Sequence, residues 1–211
     1  LHVRSRRQRQ MCIRDSVKDS LDEAFAQNLT DVAPLIASRE SAREALVAKC
    51  GENVNIRRLT AVSGDTVGAY LHGHRIGVLV VLKGGSDELA KHVAMHVAAS
   101  NPAVVSPDQV SEELVAKEKE IFLQLNADKI AGKPENIVEN MIKGRINKFL
   151  AEASLVEQAF IMDPEVKVGD LVKKAGAEIV SFVRYEVGEG IEKAENDFAA
   201  EVAAQVAASK Q

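Results

Sequence analysis

Apolar positions along this chain recur first with a helical period and then with an alternating one. Leu21, Phe25 and Leu29 stand four apart, which predicts a helix within residues 17–49 that is broken around Asp31, Pro34 and Ser38. Ala42, Ala45, Leu46 and Lys49 carry a second helix, and Gly51 supplies the left-handed residue that ends it. The period then shortens. Residues 55–63 and 67–71 read as strands around a Gly64-Asp65 turn, and His72-Gly73-His74 turns the chain into 75–82, its most strand-like stretch. Together they predict an antiparallel β-meander. Lys83-Gly84-Gly85 closes it, and Ser86 followed by Asp87 and Glu88 opens a helix that runs to about Ser100.

The next start signal is a proline at the first helical position. Ser106, Pro107 and Gln109 form an N-cap, a first-turn proline and a capping partner, predicting a helix to about Lys129. Ala131-Gly132-Lys133 breaks it, and Pro134 starts a second helix to about Leu150. Two helices of ~20 residues reach ~30 Å, so this αα-hairpin projects from the body. Its apolar stripe, Val110, Leu114, Ile121 and Leu125 facing Val138, Met141, Ile142 and Phe149, is narrow enough to serve only as a seam. Beyond it, 154–162 is extended, 170–175 is a short helix, and 178–187 alternates as a strand. After Gly188-Glu189-Gly190 an Ala-rich helix from about Ile191 to Ala208 finishes the chain. Strands on both sides of the hairpin make it an insertion into one α+β unit.

Composition narrows the class. Of 211 residues, 46% are hydrophobic and 27% charged, a globular balance, while aromatics at 4% leave the core to Ala, Val, Ile and Leu. The longest apolar run, 76–82, is far short of a membrane span. Two cysteines, Cys12 and Cys50, cannot build a disulfide framework or a metal cluster, which fits a reducing cytoplasm. Charge is uneven. Residues 1–16 hold five Arg and one Asp, so an overall −4 conceals a body at −8, which argues against direct nucleic-acid binding. The segment 1–16 also lacks apolar periodicity and the apolar stretch of a signal peptide. A basic arm or transit peptide is one reading of it; a non-native or disordered leader is the one adopted.

No chemistry-bearing constellation stands out. His92 and His96 in KHVAMH sit at i, i+4, yet Val93 occupies the place of the general-base Glu in the zinc-protease motif. Both histidines border the face of Leu89, Val93 and Val97, so edge-of-core packing is the reading adopted over a metal site. Gly84-Gly85 precedes a helix, but no Walker lysine or G-x-G-x-x-G follows. Cys50 beside Gly51 reads as a small buried residue rather than a nucleophile. Such a chain works by binding.

Four segments resemble the elongation factor Ts family: AKCGENVNIRR (48–58), HGHRIGVLV (72–80), KHVAMHVAASNP (91–102) and RYEVGEGIEKAENDFAAEVA (184–203). They occur in family order and are closest to proteobacterial members. The resemblance implies a helical remnant of a first core subdomain at 17–51 and a second α+β subdomain at 52–105 and 153–187. It also implies an inserted coiled coil at 106–152 and a C-terminal helical module at 188–211. The family's N-terminal helical domain and its Thr-Asp-Phe-Val motif find no match, so an N-terminally truncated chain with reduced activity is expected; Asp197-Phe198 is not that motif. By position, Cys50, Gly51 and His72 match residues that touch elongation factor Tu, with Gly73 and Phe198 beside them. Each also has a plain structural role, Gly51 as a helix stop, Gly73 as a turn residue and Phe198 as a helix anchor. The function implied is guanine-nucleotide exchange on elongation factor Tu, without cofactor, metal, membrane or catalytic residue, and it leaves self-association through the hairpin open. The alternatives are a helical adaptor recruiting a partner other than a GTPase, and a metal-dependent hydrolase using His92 and His96.

Overall fold

A computed structural model describes residues 6–190. Helix α1 (Arg6–Ala26) takes in most of the segment read as a leader outside the fold. The reason is local: Arg, Gln and Met are good helix formers, and no Gly or Pro interrupts propagation before Ala26. Helix α2 (Val32–Cys50) starts at Asp31, whose carboxylate accepts the Ala33 N–H at 3.0 Å. Pro34 and Ser38 lie inside this helix rather than breaking it. Pro34 falls among the first four residues, where a missing N–H costs no helical bond, and the Ser38 hydroxyl donates to the Leu35 carbonyl at 3.1 Å. Gly51, at φ +73°, ends the helix as expected.

The two helices bury Ser20, Ala24, Leu35 and Leu46 between them and beneath them. Arg39 reaches Glu23 at 3.4 Å and Asp19 at 3.8 Å across the pair. The apolar positions that announced α1 face the other way: Leu21 is 54% exposed and Phe25 87%.

The sheet has three antiparallel strands in the order β1 (Thr66–His72), β2 (Ile76–Lys83), β5 (Glu178–Glu186). The α+β class is therefore as expected, but the third strand differs. Residues 55–63 form no strand, and β5 takes the place beside β2, with Val80 opposite Phe182. Side chains hold 54–60 instead. Arg43 donates to the Val54 carbonyl at 3.3 Å, Arg57 to the Glu189 carbonyl at 3.1 Å, and the Arg58 guanidinium lies 4.2 Å over the Tyr185 ring. Thr60 and Tyr185 share a hydroxyl hydrogen bond.

Helix α3 (Asp87–Ser100) covers one face of the sheet. Its N-cap is Ser86, whose hydroxyl accepts the Leu89 N–H, with Asp87 and Glu88 in the first turn where the helix dipole favours them. Leu89, Ala90, Val93, Ala94, Val97 and Ala98 bury against Val78, Val80, Leu82 and Ile179. The approach is close at Gly68, where a Cβ would stand 2.4 Å from the Ala90 carbonyl carbon. Helix α7 (Val168–Lys174) and a 3-10 turn at Leu155–Glu157 add Val168, Val172 and Leu155 to this core. The short pair β3 (Ala159–Phe160) and β4 (Asp163–Lys167) lies between them in the chain, and Phe160 joins the same core.

Helices α4 (Glu112–Leu125), α5 (Ala127–Ile130) and α6 (Glu135–Ala153) make the hairpin. Its start differs from expectation. Pro107–Gln109 is a separate 3-10 turn, in which the Gln109 side chain accepts the Val105 N–H, and Ser111 caps α4. The seam is shifted by one position on α4, while Val138, Met141, Ile142 and Phe149 of α6 are half-buried as expected. Val115, Glu118 and Phe122 are half-buried, whereas Leu114, Ile121 and Leu125 are exposed. An ion pair lies in the seam, Arg145 to Glu118 at 2.6 Å. The stem is closed by backbone bonds: Ala103 N–H donates to the Ala153 carbonyl at 2.9 Å and Leu155 N–H to the Val104 carbonyl at 2.9 Å. Among the described residues, no helix is long and apolar enough to cross a membrane.

Candidate functional site

The β1–β2 turn presents two of the expected contact residues, His72 and Gly73, both exposed. His72 ends β1 opposite Ile76, and the Arg75 N–H closes the turn on the His72 carbonyl at 3.3 Å. Gly73 takes φ +58° at the tip, with open space where a Cβ would stand. The His72 ring is steadied by Tyr70, whose hydroxyl lies 3.2 Å from Nδ1. Beside it Leu71 is 76% exposed. A histidine held by a tyrosine thus stands next to an exposed leucine.

The second expected corner divides in two. Cys50 is buried, with its thiol 3.5 Å from the Glu52 carbonyl, so the exposed part is Gly51 and Glu52. Among the described residues, no hydrogen bond, ion pair or ring contact joins this corner to the His72 turn. The C-terminal helix and Phe198 lie outside the described residues.

His92 and His96 part company. His92 is half-buried, but His96 is 1% exposed and inside the core rather than at its edge. Its Nε2 is 2.9 Å from the Gln158 side-chain oxygen, and its Nδ1 accepts the Ile161 N–H at 3.2 Å. A neutral ring protonated on Nε2 satisfies both bonds, leaving no lone pair for a metal. Burial pushes its pKa below the ordinary histidine value, against a smaller upward pull from Gln158. The hydrolase alternative loses its ligand there. Among the described residues, no group of three or more His, Cys, Asp or Glu is placed to hold a metal ion.

Two features were not foreseen. A groove of about 520 Å³ runs between α1, the β1–β2 turn and the end of β5, with Val17, Leu21, Leu71 and Val187 along it. The outward positions of β1, Val67 and Leu71, were the available signal, since both are apolar where alternation demands polar residues. The other is the clamp of Arg57 and Arg58 on Tyr185 and Glu189. Nothing in the local pattern of 55–63 distinguishes arginines that reach across the chain from arginines on a strand's wet face.

A family profile described as Elongation factor TS matches residues 10–189. A protein named Elongation factor Ts from Ectopseudomonas mendocina (strain ymp) is 93% identical over 195 residues, covering 92% of this chain and 68% of the relative. Its namesake from Stutzerimonas stutzeri (strain A1501) is 88% identical over 194 residues, with the same coverage. One from Pseudomonas aeruginosa PAO1 is 78% identical over 195.

Proposed function

Because the chain belongs to the elongation factor Ts family, whose members are translation elongation factors, we propose that it promotes guanine-nucleotide exchange on elongation factor Tu by binding the nucleotide-free form. The observation that carries the proposal onto the molecule is the exposed His72 turn, a protruding edge with a fixed imidazole and a bare leucine. Such an edge fits a surface that displaces or reshapes a neighbour, and no reacting atom is required of it.

The mechanism is linkage. A factor that binds the empty GTPase more tightly than the loaded one loosens the nucleotide by the same ratio, and the nucleotide loosens the factor equally. Each tenfold loosening corresponds to ~1.4 kcal/mol of differential binding. Gly51 and Glu52 form a second point of contact, and Phe198 a third. No cofactor enters.

The test is release of fluorescent GDP from elongation factor Tu in a stopped-flow instrument, with and without this chain. Faster release that slows on His72→Ala supports the reading, with a loss of up to a few kcal/mol in binding, the range of an interface hot spot. Release unaffected by a folded chain at any concentration overturns it.

A further inference from the structure

We propose that residues 191–211 of this chain dock in the groove between α1, the β1–β2 turn and the end of β5. The groove is an apolar surface that the described residues leave open beside the exit point of the chain. Val17 and Leu21 are each 54% exposed, Leu71 76% and Val187 69%, and all four line one depression. Isolated exposed leucines are ordinary on a protein surface; four apolar side chains converging on one groove are not.

The position at which the described chain ends argues for the occupant. Val187 extends the sheet by donating to the Arg75 carbonyl at 2.8 Å, and the chain then turns through Gly188 and Gly190, at φ +89° and +66°. Arg57 grips the Glu189 carbonyl at 3.1 Å and Arg58 its carboxylate at 3.4 Å. The segment 191–211 therefore begins four residues after Val187 of the groove, from an anchored point.

Its sequence complements the surface. Ile191, Ala194, Phe198, Val202 and Val206 recur at three and four, an apolar stripe on the helical period. The other positions carry Glu192, Glu195, Asp197 and Glu201 against Lys193 and Lys210, a net −2. The groove's rim carries Lys18, His74 and Arg75, and its one acid, Glu186, is engaged by Arg184 at 2.7 Å and Arg75 at 3.7 Å. An acidic amphipathic segment meets an apolar groove with a basic rim. The segment is also the one that the proposed function brings to elongation factor Tu, so a GTPase that engages it must first draw it off this surface.

The inference does not depend on the exchange reading, because its test contains no partner. In the full chain, Phe198→p-benzoylphenylalanine is irradiated in dilute solution and the adducts are mapped by mass spectrometry. Cross-links within one molecule to Val17, Leu21, Leu71 or Val187 are expected. Leu71→Asp, a change at an exposed position that leaves the circular-dichroism melt in place, should lower their yield roughly tenfold by removing one buried leucine from the contact. The reciprocal probe, Leu71→p-benzoylphenylalanine, should mark 191–211 and guards against a benzophenone at 198 that itself prevents docking. Adducts spread over other faces with both probes overturn the proposal. Adducts only between molecules, rising with concentration, also overturn it and assign the groove to a second copy.

Discussion

The unit of α3 and its sheet and the hairpin of α4 and α6 are both helical packings of ordinary composition, yet only the first excludes water. Seven residues of α3 are buried, and none of α4 or α6 is. The cause is the partner each helix meets. A sheet offers a broad face, so α3 fills it with Ala90, Val93, Ala94 and Val97, down to contact between Gly68 and the Ala90 backbone. A second helix offers one groove, so α4 uses a single row and lets an ion pair stand in it. Cooperative stability belongs to the first region, and low-cost opening to the second.

The largest effect should come from placing a charge in the tight region. Val93→Asp, at a position with no exposure, is expected to cost about 3 kcal/mol or more and abolish the cooperative melt in a thermal scan. A melt left unchanged would break the contrast outright. Next, one substitution should act with opposite sign in the two regions. Gly68→Ala drives a methyl into the Ala90 backbone and should destabilise by about 2 kcal/mol. Gly144→Ala in α6 meets nothing within 4 Å and should stabilise by about 0.5–1 kcal/mol, both read from urea midpoints.

Acid should separate the regions more gently. His96 is held neutral in the fold, with a pKa below its ordinary 6.5, so the unfolded chain binds the extra proton first. Its contribution is whole above pH 6.5 and is lost as pH falls below that value towards the folded pKa. His96→Gln should flatten the fall in urea midpoint through that window; an equal fall in the variant would assign the acid sensitivity elsewhere. The smallest effect is expected at the hairpin seam, where Glu118→Gln should cost about 1 kcal/mol or less, because the Arg145 partner remains hydrated.

Sequence reading succeeded where a local signal decides the structure. Ser86 with Asp87 and Glu88 announced α3, and Gly51 announced the end of α2. It failed where a distant partner decides. Residues 55–63 look like a strand, but β5 pairs with β2 and the arginines of 57–58 bind across the chain instead. The hairpin seam moved by one residue because Glu118 is polar by type yet faces Arg145. The turn after His72 was legible from its glycine and its neighbours. The groove beside it was not, since Leu71 and Val17 come together only through the packing of α1 near the sheet.

The closed stem of the hairpin has a consequence for change over generations. Since 103–105 and 153–156 are stitched to each other by backbone bonds, whatever lies between them can lengthen or shorten by matched turns without disturbing the ground it stands on. The reach of the hairpin can thus change by insertion or deletion alone, while the sheet beneath is inherited unaltered.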